Sequence, residues 1–285
     1  MLHGVDRVQV TAHNAEVTAE RWCQLLDCTV AGSDHVEALN ARRVSVRVGD
    51  SLVEILEPTG PGFAQVHLNK GRGGPFSVGV SADDVAALRR HLATLNIEGL
   101  AFDGQLFLHE SVLGIAGLNV LVSPHEARDA VGLLKSLYEV THLTLDAPRA
   151  IADIARVFAL DTGAFVPIRS EQYGYEGALT LFDPEALDRI ETIHPFDQGK
   201  TMGRFLERFG PSLYMCYGET DDLQPVRERL KALAPADWTG SDADDDGLFI
   251  HPKALDGVMV GVSRTTHAWS WSGHPERRIP APVRT

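Results

Sequence analysis

The sequence predicts an α+β fold in which one motif is used four times, and three observations carry that prediction. Four strand-like segments, "VDRVQVTAH", "PFSVGVSA", "VTHLTLDA" and "PSLYMCYGE", each lead into a helical stretch and then into further strands. The helical stretches place apolar residues three and four apart, as in Val85, Leu88 and Leu92 or Ile151, Ile154 and Val157. Asp or Asn stands at the helix starts, and Ala147-Pro148 begins the third helix. Recurrence on this length scale means duplication.

Taken in order, the first unit continues from its opening strand into the helix "NAEVTAERWCQLLD" and the strands "ARRVSVRVG" and "SLVEILEP", with Gly49-Asp50 as the hairpin turn. The second has the helix "ADDVAALRRHLATLN", then "LFLHESV" and "GLNVLVSP". The third has "APRAIADIARVFAL" and ends in "GALTLFDP". The fourth has "TDDLQPVRERLKALA", then "LFIHPK", a turn at Asp256-Gly257 and "GVMVGVS". Two halves of two units follow: an N-terminal domain over 1–125, a linker helix over 126–138, a C-terminal domain over 139–264 and an irregular tail over 265–285.

Composition bounds the function. With 285 residues, 44% of them apolar and 23% charged, the chain is of ordinary globular type. A net charge of −13 speaks against nucleic acid and against an anionic membrane surface. No apolar run is long enough for a membrane span and no signal-peptide pattern is present, so a reducing cytoplasm is expected. Cys23, Cys28 and Cys216 lack metal or redox spacing.

The stretch "GKTMGRFLERFGPSLYMCYGETDDL", with the closing hairpin "FIHPKALDGVMVGV", resembles the vicinal oxygen chelate superfamily, the glyoxalase, methylmalonyl-CoA epimerase and extradiol dioxygenase group. "GRGGPFSVGVSADDV" repeats the entry in the first half, and the resemblance covers roughly residues 4–264. It implies βαβββ modules paired into two tandem glyoxalase-like domains, each forming a cup around a small molecule. It also implies a divalent metal held by residues of four strands. Carried across, those positions are His142, Thr180, Met215 and Gly261 in the second half, and Arg7, Glu54, Ser77 and Leu121 in the first. One ligand survives in each set, so no metal and no cofactor are expected.

The residues leave several roles open. His142 reads as a core or pocket histidine, as an acid or base, or as a ligand in another geometry. Glu54 faces away from Val53 and Ile55, toward the cup or toward solvent. Tyr173, Tyr175 and Glu176 stand before the strand of Thr180 and are candidates for proton transfer, against an ordinary polar hairpin. Lys200 and Arg204 gather near the expected mouth, and Thr180, Tyr214, Met215 and Trp269 complete the expected substrate contacts. "DADDDG", 242–247, imitates a calcium loop, but Lys253 stands where a glutamate is required, so it is an acidic turn. The expected activity is that of an isomerase or lyase moving a proton beside a carbonyl of a small-molecule substrate without a metal, with a homodimer possible. A metal-free sequestering protein is the alternative. A two-domain ring-cleaving dioxygenase is a third, opposed by Met215 and Gly261.

Overall fold

A computed structural model describes residues 2–71, 73–240 and 246–280. The first module comprises β1 (Leu2–Thr11), α1 (Ala15–Leu26), β2 (Thr29–Val36), β3 (Ala41–Val48) and β4 (Ser51–Pro58). After a short α2 (Phe63–Leu68), the second comprises β5 (Gly74–Ala82), α3 (Val85–Thr94), β6 (Leu100–Phe102), β7 (Gln105–Leu108), α4 (Glu110–Leu113) and β8 (Val120–Pro124). The third has β9 (Ser136–Leu143), α5 (Ala147–Phe158), β10 (Val166–Ser170), β11 (Tyr175–Leu181) and β12 (Arg189–Pro195). After α6 (Thr201–Phe209), the fourth has β13 (Ser212–Thr220), α7 (Leu223–Leu233), β14 (Trp238–Thr239), β15 (Gly247–Ile250) and β16 (Met259–Arg264).

These strands form two mixed eight-stranded sheets, in the orders β2-β3-β4-β1-β5-β8-β7-β6 and β10-β11-β12-β9-β13-β16-β15-β14. The same order appears twice, so the fourfold βαβββ repeat is present as the sequence predicts. Packing groups the chain differently. One compact unit contains the segment ending at Val5 with Phe76–Glu126 and Glu139–Tyr214. The other contains Asp6–Pro75, Ala127–Tyr138 and the segment starting at Met215.

The principal helix of each module starts in the same way. Asn14, Asp84, Asp146 and Asp222 cap α1, α3, α5 and α7, each side chain accepting from a backbone N–H within the first turn. Because only one or two residues separate the first strand from that cap, the interval to the cap marks which face of the strand each residue takes. In the first module the faces separate by chemistry. Val8, Val10, Val44, Val46, Val53 and Ile55 share one face, and all are buried. Arg7, Gln9, Arg43 and Glu54 share the other. The apolar face matches the apolar stripe of α1, made of Ala15, Ala19, Trp22 and Leu26.

Two sequence expectations need correction. The expected linker helix over 126–138 is absent: residues 126–135 are irregular and Ser136 already belongs to β9. The segment's backbone groups are taken by another chain segment, since Val131 and Gly49 exchange both N–H···O bonds and Leu133 N–H donates to Leu26 C=O. A helix would have to give these bonds up. The third module also does not end at β11, because β12 follows it and is the strand that pairs with β9. In the tail, short helical turns cover His267–Trp271 and Pro275–Arg277. Of the acidic turn, Asp242 and Asp244 lie outside the described residues. Asp246 is ion-paired, with Arg264 at 3.0 Å and Arg278 at 2.5 Å.

Candidate active site

The caps identify equivalent positions in the four modules. Seven residues before each cap stand Arg7, Ser77, Glu139 and Met215. Two residues further along each strand, register pairs Gln9 with Glu54, Gly79 with Leu121, Thr141 with Glu191 and Tyr217 with Gly261. Three of the four modules thus agree with the positions carried over from the family. The third does not: its pair is Glu139 and Glu191, not His142 and Thr180. His142 pairs with Thr192 on the opposite face of β9 and β12, and Thr180, paired with Ile190, lies on that opposite face too.

Glu139, Thr141, Arg189 and Glu191 share one face of two parallel strands, with Glu139 opposite Arg189 and Thr141 opposite Glu191. All four are buried, Arg189 and Thr141 completely. Arg189 Nε donates to Glu139 Oε2 at 2.6 Å, and its Nη1 donates to the Leu187 carbonyl at 3.0 Å. Thr141 Oγ1 donates to Glu191 Oε2 at 2.5 Å. Tyr175 is on the same face, since register carries it through Leu181 and Arg189.

Two buried carboxyls therefore stand near one guanidinium that bonds only Glu139, and the charges balance only when one carboxyl keeps its proton. Burial first, and the neighbouring Glu139 second, push Glu191 up to about 8. Burial raises Glu139 as well, opposed by its contact with Arg189. The proton belongs on Glu191, whose partner is a neutral hydroxyl, rather than on Glu139, whose partner is a cation. Burial, with Glu191 and Glu139 nearby, raises the Tyr175 phenol far above its ordinary range.

The other predicted residues do not join this cluster. His142 is fully buried and bonded through Nε2 to the Ala116 carbonyl at 2.9 Å. Burial lowers its pKa to about 4, so it is neutral near pH 7 and faces away from the carboxylates. Thr180 donates to the Ile190 carbonyl at 2.7 Å. Tyr173 is exposed at the hairpin tip, and Glu176 bonds Arg169, with His194 at 3.6 Å. Lys200 and Arg204 hold local turns, bonding the carbonyls of Glu171 and Gly199. Tyr214 packs edge-on against Phe205 at 4.9 Å between ring centres. Trp269 lies in the tail, with the Arg277 guanidinium 4.8 Å from its ring centre. Sequence reasoning missed Glu139, Arg189 and Glu191. The cap-to-strand interval, which is visible in the sequence, would have found Glu139.

Ser77 and Leu121 belong to the same unit as Glu139 and Glu191, whereas Met215, Gly261, Arg7 and Glu54 lie in the other. Met215 pairs with Met259, and Gly261 pairs with Tyr217. The Tyr217 ring covers the Cα of Gly261, so that a Cβ there would overlap Cε1 and Cδ1 of the tyrosine. That ring also stands edge-on to Phe249, 5.9 Å between centres. In the first module the carboxylate at the family position is closed off by its neighbours. Glu54 accepts from Arg7 Nη1 at 2.7 Å, Gln9 Nε2 at 2.8 Å and Arg43 Nη1 at 3.3 Å.

A divalent metal, which the fold implies, does not fit either set. Arg189 stands among the carboxylates in the third module and Arg7 in the first, where a second cation would meet a fixed positive charge. In the unit of Arg7 and Glu54, Met215 and Gly261 add a thioether and no side chain, neither of them a hard donor. Among the described residues, no three His, Cys, Asp or Glu side chains gather closely enough to hold a metal ion.

The architecture is that of the vicinal oxygen chelate superfamily in its tandem, two-domain form. Over 97% of this chain and 99% of its own, a variant of 4-hydroxymandelate synthase from Streptomyces coelicolor superposes with a TM-score of 0.66 at 12% identity. Methylmalonyl-CoA epimerase from Mycobacterium tuberculosis aligns with 46% of the chain and 89% of its own, at 21% identity and a TM-score of 0.38. The Streptomyces coelicolor epimerase aligns with 44% of the chain and all of its own, at 18% identity and 0.39. The first of these likenesses describes the fold. No protein-family model matches the sequence, and no curated protein matches it.

Proposed function

We propose that the chain is an enzyme of the isomerase or lyase kind that transfers a proton next to a carbonyl group of a small molecule, with Glu191 as the acid and base and no metal in the step. The observation that carries this reading is a buried pair of carboxyls on one sheet face, Glu139 bonded to the Arg189 guanidinium and Glu191 only to the Thr141 hydroxyl, at two positions equivalent to the family's ligands. A group that titrates near 8 has both its forms within reach near neutral pH, so the carboxylate can take a proton from carbon and the resulting carboxyl can give it back. Glu139 and Arg189 keep the charge fixed while that proton moves. Tyr175, held un-ionised, supplies a hydroxyl next to the acid. His142, the sequence's leading base, takes no part.

A panel of candidate substrates suffices for the test. Small carbonyl compounds, including 2-oxo acids and acyl thioesters, are incubated with the protein in D₂O, and C–H to C–D exchange is followed by NMR. At least one compound is expected to exchange, to go on exchanging in excess chelator, and to slow by roughly two to four decades with Glu191→Gln. Exchange that depends on added iron, zinc or cobalt would overturn the metal-free reading. No exchange in any compound would favour the sequestering alternative.

A further inference from the structure

The opposite face of β9 and β12 carries an unusual row of buried polar atoms. His142 and Thr192 are paired by register, and His194 follows two residues along β12 on the same face. His142 and Thr192 are both completely buried. His142 Nδ1, Thr192 Oγ1 and His194 Nδ1 are all buried, and no protein group bonds any of them. Buried polar atoms in native proteins are paired with protein or with ordered water, and three adjacent ones without a protein partner call for a common one.

The chemistry of that partner follows from His142. Its Nε2 faces the Ala116 carbonyl, which only accepts, so Nε2 carries the hydrogen. On a neutral ring Nδ1 is then an acceptor and requires a donor. Thr192 is the nearest hydroxyl by register, yet it makes no bond to the ring. The residue paired with Thr192 on its other side is Ala178, which offers no hydrogen-bonding side chain. At the outer end His194 is partly exposed, with Glu176 Oε1 3.6 Å from its Nε2.

We infer that this face binds a short file of internal water: one molecule donates to His142 Nδ1 and bonds Thr192 Oγ1, and the file continues to His194 Nδ1 and opens to solvent beside Glu176. Water is the ligand because it supplies the donor that Nδ1 needs and can also accept from the threonine hydroxyl. The buried histidine is thereby the inner end of a hydration path, on the face of the sheet that the carboxylates do not occupy.

Two measurements on the wild-type protein test this. A high-resolution crystal structure is expected to show a water within hydrogen-bonding distance of both His142 Nδ1 and Thr192 Oγ1. NMR of protein labelled with ¹⁵N-histidine is expected to show His142 neutral, protonated at Nε2 and hydrogen-bonded at Nδ1. In Thr192→Val the water density should be lost while the tautomer stays the same. A direct Thr192–His142 hydrogen bond, no density between the two side chains, or a ring protonated at Nδ1 would overturn the inference.

Discussion

Arg189 and Glu139 stand opposite each other on two parallel strands, Nε 2.6 Å from Oε2, and neither side chain reaches solvent. A buried pair of this kind contributes less than its geometry suggests, because both charges were removed from water. Taking away one member is another matter. Arg189→Met leaves Glu139 and Glu191 facing each other with no cation, and should cost about 3–5 kcal/mol of stability in urea unfolding. Adding Glu139→Gln should recover part of that loss. Equal stability of wild type and Arg189→Met would mean that the pair does not form.

The raised Glu191 carboxyl makes stability depend on pH in a defined direction. Its folded pKa, about 8, lies above the ordinary glutamate value of 4.5, so between these values the folded chain holds the proton and the unfolded chain does not. Stability from this group is full below 4.5 and falls as pH rises toward 8. Glu191→Gln should flatten that part of the profile. Proton exchange in the wild type should rise with pH and level off above about 8, as the carboxylate form that takes the proton from carbon accumulates.

His142 gives the opposite sign. Its folded value, about 4, lies below the ordinary 6.5, so the unfolded chain takes up a proton first as pH falls. This group's contribution is full above 6.5 and is lost through that window as pH drops toward 4. His142→Gln should lessen acid destabilisation and leave carbon–hydrogen exchange within a few-fold of wild type. A loss of two decades or more would return the histidine to the chemistry.

Gly261 is held open by an aromatic ring. Installing the family's carboxylate as Gly261→Glu would force a Cβ into Tyr217, and such overpacking costs about 1–3 kcal/mol. A lower melting temperature is expected, with no gain of cobalt or zinc by isothermal titration. Tyr217→Ala in the same chain should relieve the strain. Full stability of Gly261→Glu alone would show that the ring moves aside freely.

Much of the fold was legible because its signals are local. Caps such as Asp146, apolar stripes such as Ile151, Ile154 and Val157, and the Gly49-Asp50 turn each depend on neighbours in sequence. The site was less legible, because its strand disobeys the usual pattern. β12 buries Arg189 and Glu191 where an apolar alternation is expected, so "RIETIHP" does not read as an interior strand. Tyr175, on the hairpin before it, was legible as a candidate, but its neighbours were not. The motif-like "VTHLTL" drew attention to His142 although that residue stands four before its cap rather than seven. Burial decided the rest: a charged side chain reads as surface until its partner on another strand is known.

The constant distance from strand to cap has a further consequence, for insertions and deletions. From Glu139 to Leu143 side chains alternate between faces at every step, and only two residues separate that strand from the cap Asp146. Deleting one residue between them would leave the cap in place and exchange the two faces of the inner strand, so that the histidine's side would meet the arginine. The same holds for the three sister intervals that end at Asn14, Asp84 and Asp222. Length variants of this chain should therefore collect in the hairpins and the connections between modules. Those four short intervals should keep their length even where every residue within them is substituted.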